Sequence, residues 1–219
     1  MVAHILSISF CLTSSITKSS ERLIEELPFG ATEKERLHSI KNKSAQKLSL
    51  CALLSLKALL NSHNIKHDNS NLTVLRTENR KPYFESNELY FSLSHTDGIA
   101  VAALDNNPVG VDIEWINESK CFSDISRRFF TSDEQMLINE SKYPALSFYS
   151  LWTKKEALGK LTGMGLISVC SSPPSEIYFY KQYLLSYKGQ KAIISVCSTQ
   201  ETDIHLHCSH DEIEINEIN

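Results

Sequence analysis

The sequence predicts an α+β protein made of two similar α+β halves, residues 1–107 and 108–219, with a site at their seam. Three observations carry that reading. Each half presents helical sequence together with a run of short strands. The stretch Gly110-Val-Asp112-Ile-Glu114 alternates apolar and acidic residues, so Asp112 and Glu114 share one face of a strand while Val111 and Ile113 take the other. The stretch Trp152-Thr-Lys-Lys155-Glu156-Ala-Leu-Gly-Lys160 reads as a helix that sets Trp152, Lys155, Glu156 and Lys160 on one side.

Taken in order, residues 3–10 form a first strand and residues 21–27 a short helix, closed by Pro28 and Gly30. A helix starts at Thr32 and runs through Lys41, Lys43 and Lys47 to Leu60, its second half apolar nearly all round and therefore buried. Residues 61–71 are a polar connection. A meander follows: residues 72–75, 83–84, 89–94, 99–104 and 109–116 as strands, with Asp97-Gly98 as a turn and residues 105–108 as the boundary between halves. Residues 121–130 read as helix. Thr131, followed by Asp133 and Glu134, caps the next one. The helix from Pro144 ends near Gly163 and Gly165. The remainder, 166–170, 177–187, 192–197, 204–207 and 213–218, reads as strand.

Composition narrows the class. Of 219 residues 42% are hydrophobic and 22% charged, which suits a water-soluble globular chain with length to spare for a core. A net charge of −4 argues against a surface that coats nucleic acid or anionic membrane, so any polyanion site is local. Six scattered cysteines without a Cys-x-x-Cys pair suit free thiols in a reducing cytoplasm. The apolar opening lacks a basic leader segment and is taken as strand, and no stretch reaches the ~18 apolar residues of a membrane span. The run His205-Leu-His207-Cys208-Ser-His210 raises zinc, but no carboxylate stands at a useful spacing.

Each chemical signal has an ordinary counterpart. Asp112 and Glu114 fit a charged strand edge. Glu156 and Lys160 fit a surface ion pair worth about 0.2–0.5 kcal/mol, His95 a turn residue, Trp152 a core aromatic and the lysines at 41, 43 and 47 a solvated helix start. Together, a strand carboxylate pair and a helix glutamate make a ligand set for a hard divalent cation, and the lysines suit phosphate.

The ordered set Lys81-Pro82, Phe91-Ser-Leu-Ser94-His95, Gly110-Val-Asp112-Ile-Glu114, Phe130-x-x-x-Glu134 and Trp152-x-x-Lys155-Glu156-Ala-x-x-Lys160 resembles the two-domain, surfactin-synthetase-activating type of 4′-phosphopantetheinyl transferase, over about residues 80–165. The resemblance implies the duplicated, pseudo-twofold fold of that family. It implies transfer of the phosphopantetheine arm of coenzyme A to a serine of an apo acyl or peptidyl carrier protein. Asp112, Glu114 and Glu156 would then be ligands of Mg²⁺, with Mn²⁺ the alternative. Lys160, Ser94 and His95 would meet the pyrophosphate, with Lys155 beside them, and Lys81-Pro82 the adenine nucleotide. Glu134 matches a proposed general base, with Glu156 its rival. Arg80 stands where the family usually has glycine, and Gln46 where it tends to have arginine, so the 3′-phosphate contact passes to Lys41, Lys43 or Lys47. A cytoplasmic monomer acting on no nucleic acid and no membrane completes the expectation. The alternatives are a phosphohydrolase using the same carboxylates with water, or a non-catalytic carrier- or nucleotide-binding module.

Overall fold

The two main sheets face each other through one set of alternate side chains and meet covering helices through the other, and that alternation sets the layers. The computed structural model describes residues 6–65, 72–86, 88–208 and 210–218. In chain order these form β1 (Ser7–Leu12), α1 (Ser20–Glu25), α2 (Ala31–Ser39), α3 (Lys43–Ser62), β2 (Val74–Arg76), β3 (Pro82–Phe84), β4 (Tyr90–Thr96), β5 (Ile99–Asp105) and β6 (Val109–Trp115). There follow α4 (Ser123–Phe129), α5 (Ser132–Glu140), α6 (Pro144–Thr162), α7 (Gly165–Ser171), β7 (Phe179–Tyr187), β8 (Gln190–Ser198), β9 (His205–His207) and β10 (Ile213–Ile218). The α+β expectation is met.

One sheet has the order β4-β5-β1-β9, the other β10-β7-β8-β6, and β2-β3 is a separate hairpin. Ile8, Phe10, Ile99, Val101 and Ala103 of the first sheet meet Val111, Ile113, Leu185, Ile194 and Val196 of the second in one core. On the outer face of the first sheet, Ala102 and Leu104 pack with Leu50, Leu53 and Leu56 of α3. On the outer face of the second, Ile193 packs with Phe148 and Tyr149 of α6. The chain is thus helix on sheet on sheet on helix, a long buried helix covering each sheet. β9 returns from the second half to pair in parallel with β1, Ser7 opposite His205 and Ser9 opposite His207.

Two elements differ from the sequence reading. The run from Thr32 to Leu60 is two helices, because Ile40 is extended and the Asn42 side chain accepts from the Ala45 amide at 3.0 Å, capping α3 afresh. Residues 166–170, expected as strand, lie in α7. Gly163 and Gly165, at φ +74° and +76°, turn the chain back on α6, where Val169 buries against Ala157, Leu158 and Leu161. Tertiary burial there overrides the β-preference of Ile167 and Val169. Residues 3–5 of the expected first strand and residues 66–71 of the expected connection lie outside the described residues.

A candidate functional site at the seam

The two sheets meet edge to edge where β4 runs beside β6, joined by side chains rather than by a backbone ladder. Every second residue of β4 carries a hydroxyl. Ser92 Oγ accepts from the Val111 amide at 3.0 Å, Ser94 Oγ donates to Asp112 Oδ1 at 2.7 Å, and Thr96 Oγ1 donates to Glu114 Oε2 at 3.4 Å. The Trp115 indole N–H closes the row on the Asp97 carbonyl at 2.6 Å. The strand alternation expected of Asp112 and Glu114 is therefore present, with both on the cavity side.

Helix α6 reaches that row because Gly110 leaves room for it. A Cβ at 110 would stand 1.9 Å from the Ala157 carbonyl oxygen, so only glycine permits the crossing. Trp152 anchors the helix as packing, 6.0 Å from the Phe148 ring and 5.6 Å from Phe129. Glycine in the left-handed region at 163 ends the helix. Lys81 donates to the Leu161 carbonyl and the Asn79 amide to the Gly163 carbonyl at 2.9 Å, so the segment before β3 holds the helix end.

One turn above that end, Lys160 Nζ donates to Asp112 Oδ1 and to Ser94 Oγ, each at 2.7 Å. Lys160 therefore pairs across the seam with Asp112. A cavity of about 410 Å³ opens there, walled by Ser94, His95, Asp112, Glu114, Glu156 and Lys160. Its neighbour, about 230 Å³, shares Pro82, Leu93, Glu156 and Lys160 and adds Arg80, Lys81 and Gly163. Burial, then the charge of Asp112, pushes the carboxyls of Glu114 and Glu156 above the usual range. Burial and Lys160 push the His95 imidazole down.

The donor set fits a hard divalent cation. Asp112 is 4% exposed, and its Oδ2 is buried with no hydrogen-bond partner among the described residues. Such an orphaned oxygen costs about 1–3 kcal/mol unless something satisfies it. Glu114 and Glu156 face the same cavity, and both sense the Asp112 charge. As placed, no group of three or more His, Cys, Asp or Glu among the described residues is close enough to hold a metal ion. Asp112 pairs instead with Lys160. The zinc reading of His205, His207, Cys208 and His210 gains no such group either.

Other expected residues lie elsewhere. Glu134 completes a capping box with Thr131, and its Oε1 pairs with Lys155 Nζ at 2.9 Å. Both side chains stand outside the two cavities, with Lys155 5.6 Å from the Phe130 ring centre. Lys41, Lys43 and Lys47 gather around the start of α3, Lys43 Nζ lying 3.7 Å from Glu21. None of the three lines these cavities. Gln46 is buried and donates to the Leu37 carbonyl at 2.9 Å, tying α2 to α3. Arg80 takes φ +63°, the left-handed conformation glycine adopts most easily, so the turn before Lys81-Pro82 keeps the shape a glycine would give it. The cations missed in the sequence are Arg36 of α2 and Arg76 of β2, which line the larger cavity. The spacing of Glu33 to Arg36 on one helix face was the available signal; nothing local tied Arg76 to it.

Residues 108–210 match the 4′-phosphopantetheinyl transferase superfamily. The chain is 34% identical over 126 residues to the 4′-phosphopantetheinyl transferase gsp of Aneurinibacillus migulanus, covering 57% of this chain and 51% of that one. It is 40% identical over 79 residues to psf-1 of Bacillus pumilus, 35% of this chain and 33% of that one. It is 31% identical over 109 residues to Sfp of Bacillus subtilis strain 168, 48% and 47% respectively. The matched stretches span from a third to about half the length of these relatives. The resemblance drawn from the motifs is borne out.

Proposed function

We propose that the protein transfers the 4′-phosphopantetheine arm of coenzyme A to a serine hydroxyl of an apo carrier protein. The observation that carries this is the Lys160–Asp112–Ser94 network at the seam, with Glu114 and Glu156 walling the same cavity. The serine oxygen forms a bond to the phosphorus attached to the pantetheine, the P–O bond to the nucleotide breaks, and adenosine 3′,5′-bisphosphate leaves with the electron pair. The serine proton passes to a carboxylate. Of the two candidates, Glu156 lines the cavity, whereas Glu134 is committed to Thr131 and Lys155. We therefore give the proton to Glu156 and assign Glu134 to holding Lys155.

Asp112, Glu114 and Glu156 would hold Mg²⁺, or Mn²⁺ in its place. A cation held there would supply positive charge that offsets the charge developing on the leaving bisphosphate. Lys160 adds its charge from the helix and, with Ser94 and His95, orients the pyrophosphate. Lys81 and Pro82, which line the smaller cavity, would meet the adenine nucleotide. On this reading the halves 1–107 and 108–219 both contribute to the site, Ser94 of β4 from the first and Asp112, Glu114, Glu156 and Lys160 from the second. The partner is a carrier protein with an exposed serine, not nucleic acid or lipid, and the enzyme works as a cytoplasmic monomer. Among the described residues no helix is long and apolar enough to cross a membrane.

Chromatography of the nucleotide products tests transfer against hydrolysis. Adenosine 3′,5′-bisphosphate appearing only when apo carrier is present supports transfer. Bisphosphate with free phosphopantetheine in the absence of carrier would instead establish a hydrolase.

A further inference from the structure

The helix that brings Glu156 and Lys160 to the cavity is tied to its sheet by a second polar contact, away from both cavities. Asp112 of β6, Ser195 of β8 and Gln182 of β7 stand directly opposite one another along the ladders, so their side chains share the face that α6 covers. Gln182 clamps the helix: its Nε2 donates to the Ser150 carbonyl at 3.0 Å and its Oε1 accepts from the Ser150 hydroxyl at 2.7 Å. The same Nε2 donates to Ser195 Oγ at 2.7 Å. Thr153 Oγ1 donates to the Tyr149 carbonyl at 2.8 Å, which leaves Ser195 as the donor in its 2.7 Å bond to Thr153. Gln182, Ser195 and Thr153 are buried, and none of them lines either cavity.

Stability alone does not call for this row. The neighbouring contacts of helix and sheet are apolar, Phe148 and Tyr149 with Ile193, and Ala157, Leu158 and Leu161 with Cys197. Replacing both partners of a buried hydrogen bond by apolar groups of the same shape is often nearly neutral. Apolar packing is non-directional and tolerates a helix rolling on its sheet. Hydrogen bonds instead demand a short distance and a near-linear angle. Thr153 stands one turn before Glu156 and two before Lys160 on the same helix face. A slip of α6 by one residue would turn that face by about 100° and carry Lys160 away from Asp112.

We propose that Gln182, Ser195 and Thr153 are positioning residues that fix the roll and register of α6 on the second sheet, and through them the approach of Lys160 and Glu156 to Asp112. None of the three touches substrate. The consequence for turnover rests on the transferase reading; the placing of Lys160 does not.

Variants of the full chain separate this from a purely structural role. Thr153→Val combined with Ser195→Ala removes the bond between helix and sheet while nearly keeping the shape of the interface, and should melt near the wild-type temperature. Thr153→Ser keeps the hydroxyl but gives up a buried methyl, and should melt lower. The readout that needs no carrier is the Cε magnetic-resonance signal of Lys160 in protein grown on ¹³C-lysine, assigned by its loss in Lys160→Gln. That signal should move in the double variant and stay in place in Thr153→Ser. Phosphopantetheine transfer should follow the hydroxyl too. We expect kcat to fall by about ten- to a hundredfold in the double variant, as for reacting groups misplaced by an ångström, and to stay near wild type in Thr153→Ser. Gln182→Met, which frees Ser150 and Ser195, should shift the same signal and decides the matter where the double variant does not fold. An unmoved Lys160 signal in a folded double variant or in Gln182→Met, or transfer that tracks melting temperature rather than the hydroxyl, would overturn the proposal. A protein whose Lys160 signal moves as expected yet which modifies no carrier sinks the transferase reading alone.

Discussion

Lys160 of α6 and Asp112 of β6 are joined across the seam at 2.7 Å, and Ser94 of β4 bonds to both. Three elements from the two sheets and a covering helix thus share one polar contact. The geometry of that contact depends on how closely α6 can approach β6.

Gly110→Ala tests that approach. The added methyl would collide with helix backbone, which cannot rotate away as a side chain can. We expect a loss of about 1–3 kcal/mol in a denaturant melt, as for overpacking, and a parallel loss of nucleotide binding. Wild-type values for both would show that α6 is not held by this crossing.

The two glutamates are separable by kinetics. Glu156→Gln should lower kcat by about a hundredfold or more, the usual scale for a lost proton acceptor. Glu134→Gln should cost less and act mainly through the freed Lys155 and the weakened capping box, seen as a drop in Tm. A larger kcat loss for Glu134→Gln would reverse the assignment of the base.

How far the sequence showed this site depended on range. Asp112 and Glu114 were legible because period-two alternation is local, and the start of α5 was legible because Thr131 and Glu134 form a capping box. The partner of Lys160 was not: Glu156, one turn away, is the local choice, and the observed Asp112 lies 48 residues off. Arg76 likewise meets Glu33 across 43 residues. The return of β9 to β1 spans almost the whole chain, and no pattern in His205–His207 announces its partner. Residues 166–170 misled because their strand-like composition is overruled by docking on α6.

Protonation at the β9 edge sets a pH dependence of stability. His63 accepts from or donates to Ser7 Oγ at 2.8 Å and lies 5.9 Å from the His207 ring, while His205 and His207 also act on it electrostatically. Burial, then these neighbours, lowers its pKa below the ordinary 6.5. A depressed histidine stabilises the fold in its neutral form: that contribution is complete above about 6.5 and is lost as pH falls through the lowered value. Tm should therefore fall from pH 7 to pH 5, and His63→Gln should flatten that fall. An equal slope in the variant would assign the acid sensitivity to other groups.

If the proposed transfer holds and the carrier is acidic beside its serine, docking on a chain of net −4 would need local positive charge. Arg127 and Arg128, in the last turn of α4, are the candidates. Replacing both by glutamate should raise KM for the carrier and weaken its salt dependence, since rim charges act through steering screened over about 8–10 Å. KM for coenzyme A should stay near wild type. An unaltered carrier KM at low and high salt would move the docking face elsewhere.

The most direct test of the central claim is the mass of an apo carrier protein after incubation with coenzyme A, Mg²⁺ and the protein. Wild type is predicted to add one phosphopantetheine per carrier and to stop when the metal is chelated. Asp112→Ala should add none while melting near the wild-type temperature. No mass gain with any apo carrier tried, or full transfer by a folded Asp112→Ala protein, would contradict the account.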